Sequence, residues 1–319
     1  MVNPTKPNNE PNLNYVLCTN PKGWHRMAYW EWGNPENEHV LLCMHGLTRN
    51  GRDFDQLAKQ FSQQYRVICP DIVGRGQSDW LEDPDLYHFA QYVGDVATLI
   101  ARLQPKKITW LGTSMGGLIA LSFIYMLSQP AHTPVGLRKF SSMQAPSWLL
   151  DKTSPIDILI LNDIGPELAL EGLRSIANYV ENIPKLANSK ETLTYAKENW
   201  GSFGLQTVEE LKAYTEHYFV QTDEGWVPHY DPAIINAFVR GLDYPMEESR
   251  NFLWSVYQQI NVPILVLRGE NSDLLTKSVY QRMLKENRLA QGKQFQAIGH
   301  APSLLKQQER AVIEAFLQS

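Results

Sequence analysis

The sequence predicts an α/β fold in which a mostly parallel sheet is covered by helices on both faces. Three observations predict it. Apolar runs of strand length recur at His39–Met44 (HVLLCM), Tyr65–Cys69 (YRVIC) and Lys107–Leu111, as expected of strands buried on both sides. Helix-periodic segments separate them: Asp53–Phe61, with Phe54, Leu57, Ala58 and Phe61 on one face, and Phe89–Leu103. The run Thr109–Gly117 then reads as a buried strand, a G-x-S-x-G turn and an apolar helix from Leu118 to Leu127. This strand–helix rhythm across residues 39–127 is that of a sheet wound with helices on both faces.

The remaining elements follow in order. Tyr15–Trp32 alternates, is rich in aromatics and turns at Pro21-Lys22-Gly23, the pattern of an antiparallel pair opening the sheet. Met1–Pro11 is rich in Asn and Pro with no apolar segment, which reads as a flexible arm (residues 1–14) and not as a secretory signal. Residues 130–155 show no period. Asp157–Leu161 resumes as a strand. From Pro166 to about Arg250 the pattern is helical, with helices near 167–180, 190–199, 207–221 and 232–240 and no strand rhythm. Val262–Leu267 (VPILVL) and Phe295–Ile298 read as the last strands, and Pro302–Leu317 as the closing helix. The core is therefore expected over 15–162 and 251–319, with a helical insertion over 163–250.

Composition narrows the function. The 319 residues are 43% hydrophobic and 20% charged, with a formal net charge of −5. There is no basic stripe for nucleic acid. No apolar run approaches the roughly 18 residues of a membrane span. Cys43 and Cys69 lie in apolar strands and read as buried free thiols. With Cys18 the count is odd, which points to a cytoplasmic setting.

The chemistry centres on Ser114. A serine hydroxyl is a poor nucleophile unless it is held in the open beside a base. A tight strand-to-helix turn with Gly112 and Gly116 exposes it and puts the Met115 amide at a helix N-terminus, where negative charge is stabilised. His300, in the Gly-rich turn Ala297–Pro302 after the last strand, is the expected base. The acid should follow a strand between nucleophile and base. Asp273, after VPILVL, is the first choice. Glu270 and Asp163 compete, although Asp163 also suits a cap for the helix beginning near Pro166. The second oxyanion donor is expected from His45-Gly46-Leu47 through the Leu47 amide, with His45 anchoring the loop.

Taken together, HGLTRNGRDF, DIVGRGQSD, GTSMGG, LNDIGPE, RGENSDLL and IGHAPSL resemble, in order, the motifs of the lidded serine hydrolases of the α/β-hydrolase superfamily. The resemblance covers roughly residues 15–130 and 157–319. It implies an eight-stranded, mostly parallel sheet, a helical cap inserted after the sixth strand, a Ser114–Asp273–His300 triad and no metal or organic cofactor. Ser114 argues against the dehalogenase and epoxide-hydrolase branches, which use an aspartate nucleophile. The segment 130–156 is longer than the family usually has there.

The expected reaction is hydrolysis of a carboxylic ester, lactone or thioester of a small, partly apolar molecule through an acyl-enzyme. The same triad would serve C–C hydrolysis of a vinylogous diketone, or acyl transfer and perhydrolysis. A binding protein on the same fold is a further alternative. Aromatic residues in the insertion (Trp200, Phe203, Tyr214, Tyr218, Phe219, Trp226, Tyr230, Phe238) are expected to form its own core, with some facing the pocket. Arg49, Arg240 and His217 are candidate carboxylate binders, for which solvation at the surface is the competing role.

Overall fold

The computed structural model describes residues 10–128, 155–182, 184–241 and 246–319. Eight strands form one sheet: β1 (Asn12–Asn20), β2 (Gly23–Trp32), β3 (His39–Met44), β4 (Arg66–Pro70), β5 (Lys107–Thr113), β6 (Ile156–Asn162), β9 (Ile264–Gly269) and β10 (Ala290–Phe295). Their order is β1-β2-β4-β3-β5-β6-β9-β10. The first two are antiparallel to their neighbours and the other pairings are parallel.

Alternate strand residues enter two separate apolar layers. Val40, Leu42, Met44, Ile68, Trp110 and Val266 face one side. There they meet α2 (Phe89–Leu103) and α3 (Met115–Ser128) through residues such as Val96, Leu99 and Ile119. Leu41, Cys43, Val67, Cys69, Leu111 and Leu267 face the other. They meet Phe54, Leu57 and Phe61 at α1 (Asp55–Phe61), and Ile313 and Phe316 of the closing helix (Gln307–Leu317). Because the six parallel strands run the same way, the loops at their C-terminal ends share one edge, where ligands of such sheets bind. His45-Gly46, Asp71, Ser114, Asp163 and the loop after β10 all lie there.

Between β6 and β9 the chain forms α4 (Leu170–Glu181), α5 (Ser189–Trp200), α6 (Val208–Thr215), α7 (Ile234–Gly241) and α8 (Met246–Gln259). It also forms a feature at odds with the all-helical expectation, an antiparallel pair of β7 (Phe219–Thr222) and β8 (Gly225–Pro228). The helix expected over 207–221 stops at Thr215. The turn Thr222-Asp223-Glu224-Gly225 then reverses the chain, with Gly225 at φ +117°.

This insertion rests on the C-terminal loops of the sheet. The Gly76 amide donates to His229 C=O (2.9 Å), Asp231 to Gly74 C=O (2.7 Å) and Gly299 to Ser202 C=O (2.6 Å). Its core is aromatic: the Trp200 ring lies within 4.7–6.1 Å of the rings of Tyr195, Tyr214, Tyr218 and Phe219.

Three boundaries differ from expectation. Asn12–Asn14 belongs to β1. The last strand is Ala290–Phe295 and not 295–298; it is a polar edge strand whose exposed pattern hides it from a search for apolar runs. Helix α8 runs through the core boundary expected at residue 250. The segment 130–156 lies almost wholly outside the described residues, as does most of the arm.

Candidate active site

Ser114 follows β5 directly and opens α3. Its φ of +51° is the left-handed conformation that a sharp strand-to-helix reversal imposes. The turn is held by Ser114 N–H donating to Asn162 C=O (3.0 Å) and Gly117 N–H donating to Ser114 C=O (2.9 Å). Gly116 is required by contact: a Cβ there would overlap the carbonyl of Met44 at the end of β3.

His300 lies over the serine. Its Nε2 is 2.9 Å from Ser114 Oγ, and its Nδ1 is 2.8 Å from Asp163 Oδ2. The second carboxylate oxygen of Asp163 accepts the Gly269 amide (2.8 Å). The Asp163 side chain is fully buried and that of His300 is 12% exposed. With the Nδ1 proton shared with the carboxylate, Nε2 is left to accept from the hydroxyl.

The carboxylate that meets the imidazole is therefore not Asp273. Asp273 and Glu270 are both exposed. Glu270 accepts the Ala297 amide (3.1 Å) and so braces the histidine loop from outside. The reason lies in strand order. Strand β6 is the immediate neighbour of β5, so the residue after it emerges beside the serine. Asp273 comes four residues after the end of β9, by which point the chain has turned away. Nor does Asp163 cap a helix: α4 begins only at Leu170, and its N-cap, Ala169, has no side-chain cap bond.

The segments that carry the two expected amide donors flank the serine: Met115 follows it in the chain, and the loop that holds Leu47 packs against it. A Cβ on Gly46 would lie 3.7 Å from Ser114 Cβ, which places the loop after β3 against the serine. Neither Leu47 N–H nor Met115 N–H, the first amide of α3, has a backbone partner among the described residues. His45 anchors this loop, as its position suggested. Its Nδ1 donates to Gly46 C=O (2.7 Å), and its Nε2 accepts the Ile72 amide (2.9 Å). Complete burial lowers its pKa to about 3, so the ring is neutral.

Asp71, at the end of β4, takes the Gly51 and Gln77 amides and Trp30 Nε1–H (2.7, 2.8 and 3.2 Å). It thereby ties the loops after β3 and β4 together. Burial raises its pKa to about 6 despite these donors.

Two residues were missed by sequence reasoning, and a third has another role. Asn162 Nδ2 donates to Thr113 Oγ1 (3.0 Å) and to Pro302 C=O (2.9 Å), linking the serine turn to the histidine loop. Arg75 Nε–H donates to Leu47 C=O (2.9 Å) in the loop after β3. Arg49, named as a candidate carboxylate binder with surface solvation as the competing role, is buried. Its guanidinium pairs with Asp53 (2.5 Å), donates to Tyr214 C=O (2.8 Å) and lies 3.7 Å from the Tyr214 ring centre, clamping the insertion to the core. A buried partner in the insertion leaves no mark near residue 49 in the sequence. Arg240 is an exposed partner of Asp85 (2.5 Å), and His217 lies 3.7 Å from Asp55.

Among the described residues, one group has the composition of a metal site: Cys18, His25 and Asp95, all buried. Its polar atoms are engaged with one another and with Asn20 and Gln91 (His25–Asp95 2.9 Å, Asn20–His25 3.1 Å, Gln91–Asp95 2.7 Å). It lies between the β1–β2 pair and α2, at the opposite side of the sheet from the β10 edge. No helix among the described residues is long and apolar enough to cross a membrane.

Residues 39–132 match the family model for the alpha/beta hydrolase fold. The chain is 37% identical over 310 residues to a 3-hydroxybutyrate-oligomer hydrolase of Cupriavidus necator, covering 96% of this chain and 97% of that one. Among solved structures it resembles a Rickettsia typhi protein (TM-score 0.80, 30% identity, 97% and 99% of the two chains). It also resembles an alpha/beta hydrolase from Novosphingobium aromaticivorans (TM-score 0.79, 27% identity, 97% and 98%).

Proposed function

The chain belongs to the α/β-hydrolase fold family and is a hydrolase, and from that premise we propose that it is a serine esterase cleaving short oligoesters of 3-hydroxybutyrate. The observation that carries this reading is the hydrogen-bonded relay Ser114–His300–Asp163. The end-to-end similarity to an enzyme named for that substrate supports the choice of ester.

In the proposed reaction His300 Nε2 takes the Ser114 proton as Oγ attacks the ester carbonyl. Asp163 holds the imidazole in the Nδ1–H tautomer and stabilises its charged form. The Leu47 and Met115 amides receive the oxyanion. His300 then protonates the departing alkoxide oxygen of one hydroxyacid unit, which leaves as its free hydroxyl. Water, deprotonated by the same imidazole, releases the acyl group from Ser114. The insertion acts as a cap over the strand ends, and Arg49 fixes its position. The three buried free thiols support a reducing, cytoplasmic setting.

The test is hydrolysis of the linear dimer and trimer of 3-hydroxybutyrate, followed by release of monomer, with Ser114→Ala alongside. Turnover lost by at least a thousandfold in the variant is expected. Equal turnover by both proteins would sink the serine mechanism. Cleavage of p-nitrophenyl esters with no cleavage of the oligomers would keep the mechanism and sink the substrate.

A further inference from the structure

Arg75 is completely buried, yet no carboxylate lies within ion-pair distance of it among the described residues. Isolated buried cations are costly, and such groups are ordinarily paired. The neutral contacts of its guanidinium fall on both proposed oxyanion residues. Nε–H donates to Leu47 C=O (2.9 Å), and Nη2 lies 3.8 Å from Met115 Sδ. Nη1 donates to Val73 C=O (2.7 Å) and to Tyr92 Oη (3.1 Å), which fixes the plane of the group. Its backbone is held as well, by a bridge to Tyr230 of the insertion.

We propose that Arg75 is the positioning residue of the oxyanion hole: one planar cation that locks the Leu47 and Met115 segments in register and sets a positive charge behind the developing oxyanion. The inference rests on the proposed serine mechanism. Leu47, in the loop after β3, and Met115, at the start of α3, are 68 residues apart in sequence, and the rigid fork spans them as a flexible ammonium could not. A fixed charge in a water-excluded site needs no reorganisation as the oxyanion forms, so its effect falls on the transition state and not on the bound ester. The absence of a carboxylate partner has a use here, since a paired anion would cancel that field.

Arg75→Met and Arg75→Lys test this, with kcat and KM on an ester substrate and two inhibitor affinities. One inhibitor is a trifluoromethyl ketone, which forms a tetrahedral oxyanion on Ser114; the other is the product carboxylic acid. For Arg75→Met we expect kcat to fall about a hundredfold, the scale of losing one oxyanion donor, with KM changed less than threefold. Affinity for the trifluoromethyl ketone should fall in parallel while that for the product acid holds. Arg75→Lys keeps the charge and loses the fork, and should recover part of the loss. Wild-type kcat in a folded variant would overturn the inference, as would a kcat loss with unchanged ketone affinity. If Arg75→Met does not fold, Arg75→Lys carries the test by itself, and wild-type kcat there overturns it. Ser114→Ala separates the two levels. Full activity in that variant sinks the serine mechanism and this inference together. An inactive Ser114→Ala beside unimpaired Arg75 variants sinks this inference only.

Discussion

Replacing Asp163 with Asn tests the assignment of the acid most directly. The carboxylate has two roles in the structure: Oδ2 faces His300 Nδ1 at 2.8 Å, and Oδ1 accepts the Gly269 amide at 2.8 Å. An asparagine can meet only one of these as before. If its oxygen keeps the Gly269 bond, its NH2 points at the imidazole and selects the tautomer with Nδ1 bare. Nε2 then carries a proton toward Ser114 Oγ and can no longer accept one. An Asp-to-Asn exchange with this effect lowers kcat about 10⁴-fold in serine-protease triads, equivalent to about 5.5 kcal/mol of transition-state stabilisation at about 1.36 kcal/mol per decade. Asp273→Asn alters an exposed side chain and should leave kcat within a factor of two. The assay is steady-state hydrolysis of a chromogenic ester by both variants, with near-ultraviolet circular dichroism to confirm the fold. Near-wild-type activity in Asp163→Asn beside an inactive Asp273→Asn would refute the placement and restore the order of motifs as the better guide.

Two further predictions concern the scaffold. His45 titrates near pH 3 in the folded chain and near 6.5 unfolded. The unfolded state therefore binds the extra proton between these values, and stability contributed above pH 6.5 is lost as pH falls, by up to about 1.4 kcal/mol per pH unit. Asp71, raised to about 6, works in the opposite sense between pH 4 and 6. The His45 share is thus read as the pH dependence of the stability difference between wild type and His45→Asn in urea unfolding. A difference constant from pH 7 to 4 would contradict the neutral buried ring. Arg49→Ala should destabilise by about 3 kcal/mol, because it strands the Asp53 carboxylate and removes the link to Tyr214. A change below about 0.5 kcal/mol in chemical denaturation would show that the clamp contributes nothing.

The sheet and half of the site were legible because their signals are local. HVLLCM, YRVIC and the strand feeding Ser114 are contiguous apolar runs. The serine turn and the histidine turn each carry their glycines within a few residues. Asp163 was among the three candidate acids, but the choice among them was not legible, because it depends on which strand lies beside β5, and lateral order leaves no local trace: Asp163 and Gly269, joined by a hydrogen bond, are 106 residues apart. Strand β10 escaped because its sequence, AQGKQF, is polar at a solvent-facing edge. The β7–β8 pair escaped because its strands have only four residues each, too few for a period to emerge beside the helical segments around them. Arg75 and Asn162 escaped for a different reason. A buried polar side chain is defined by what surrounds it, and Arg75 looks in sequence like any arginine in a Gly-rich loop.

Asn162 and Asp163 are consecutive, and their tasks divide cleanly. Asn162 joins the Ser114 turn to the His300 loop through hydrogen bonds donated by its neutral side-chain amide, while Asp163 supplies the charge. Frame and field are thus borne by separate side chains. The acid could be exchanged or moved to a neighbouring strand without dismantling the alignment of serine and histidine, whereas a change at Asn162 would misalign a fully charged site. For a designer transplanting this centre to another sheet, the asparagine is the residue to carry over first.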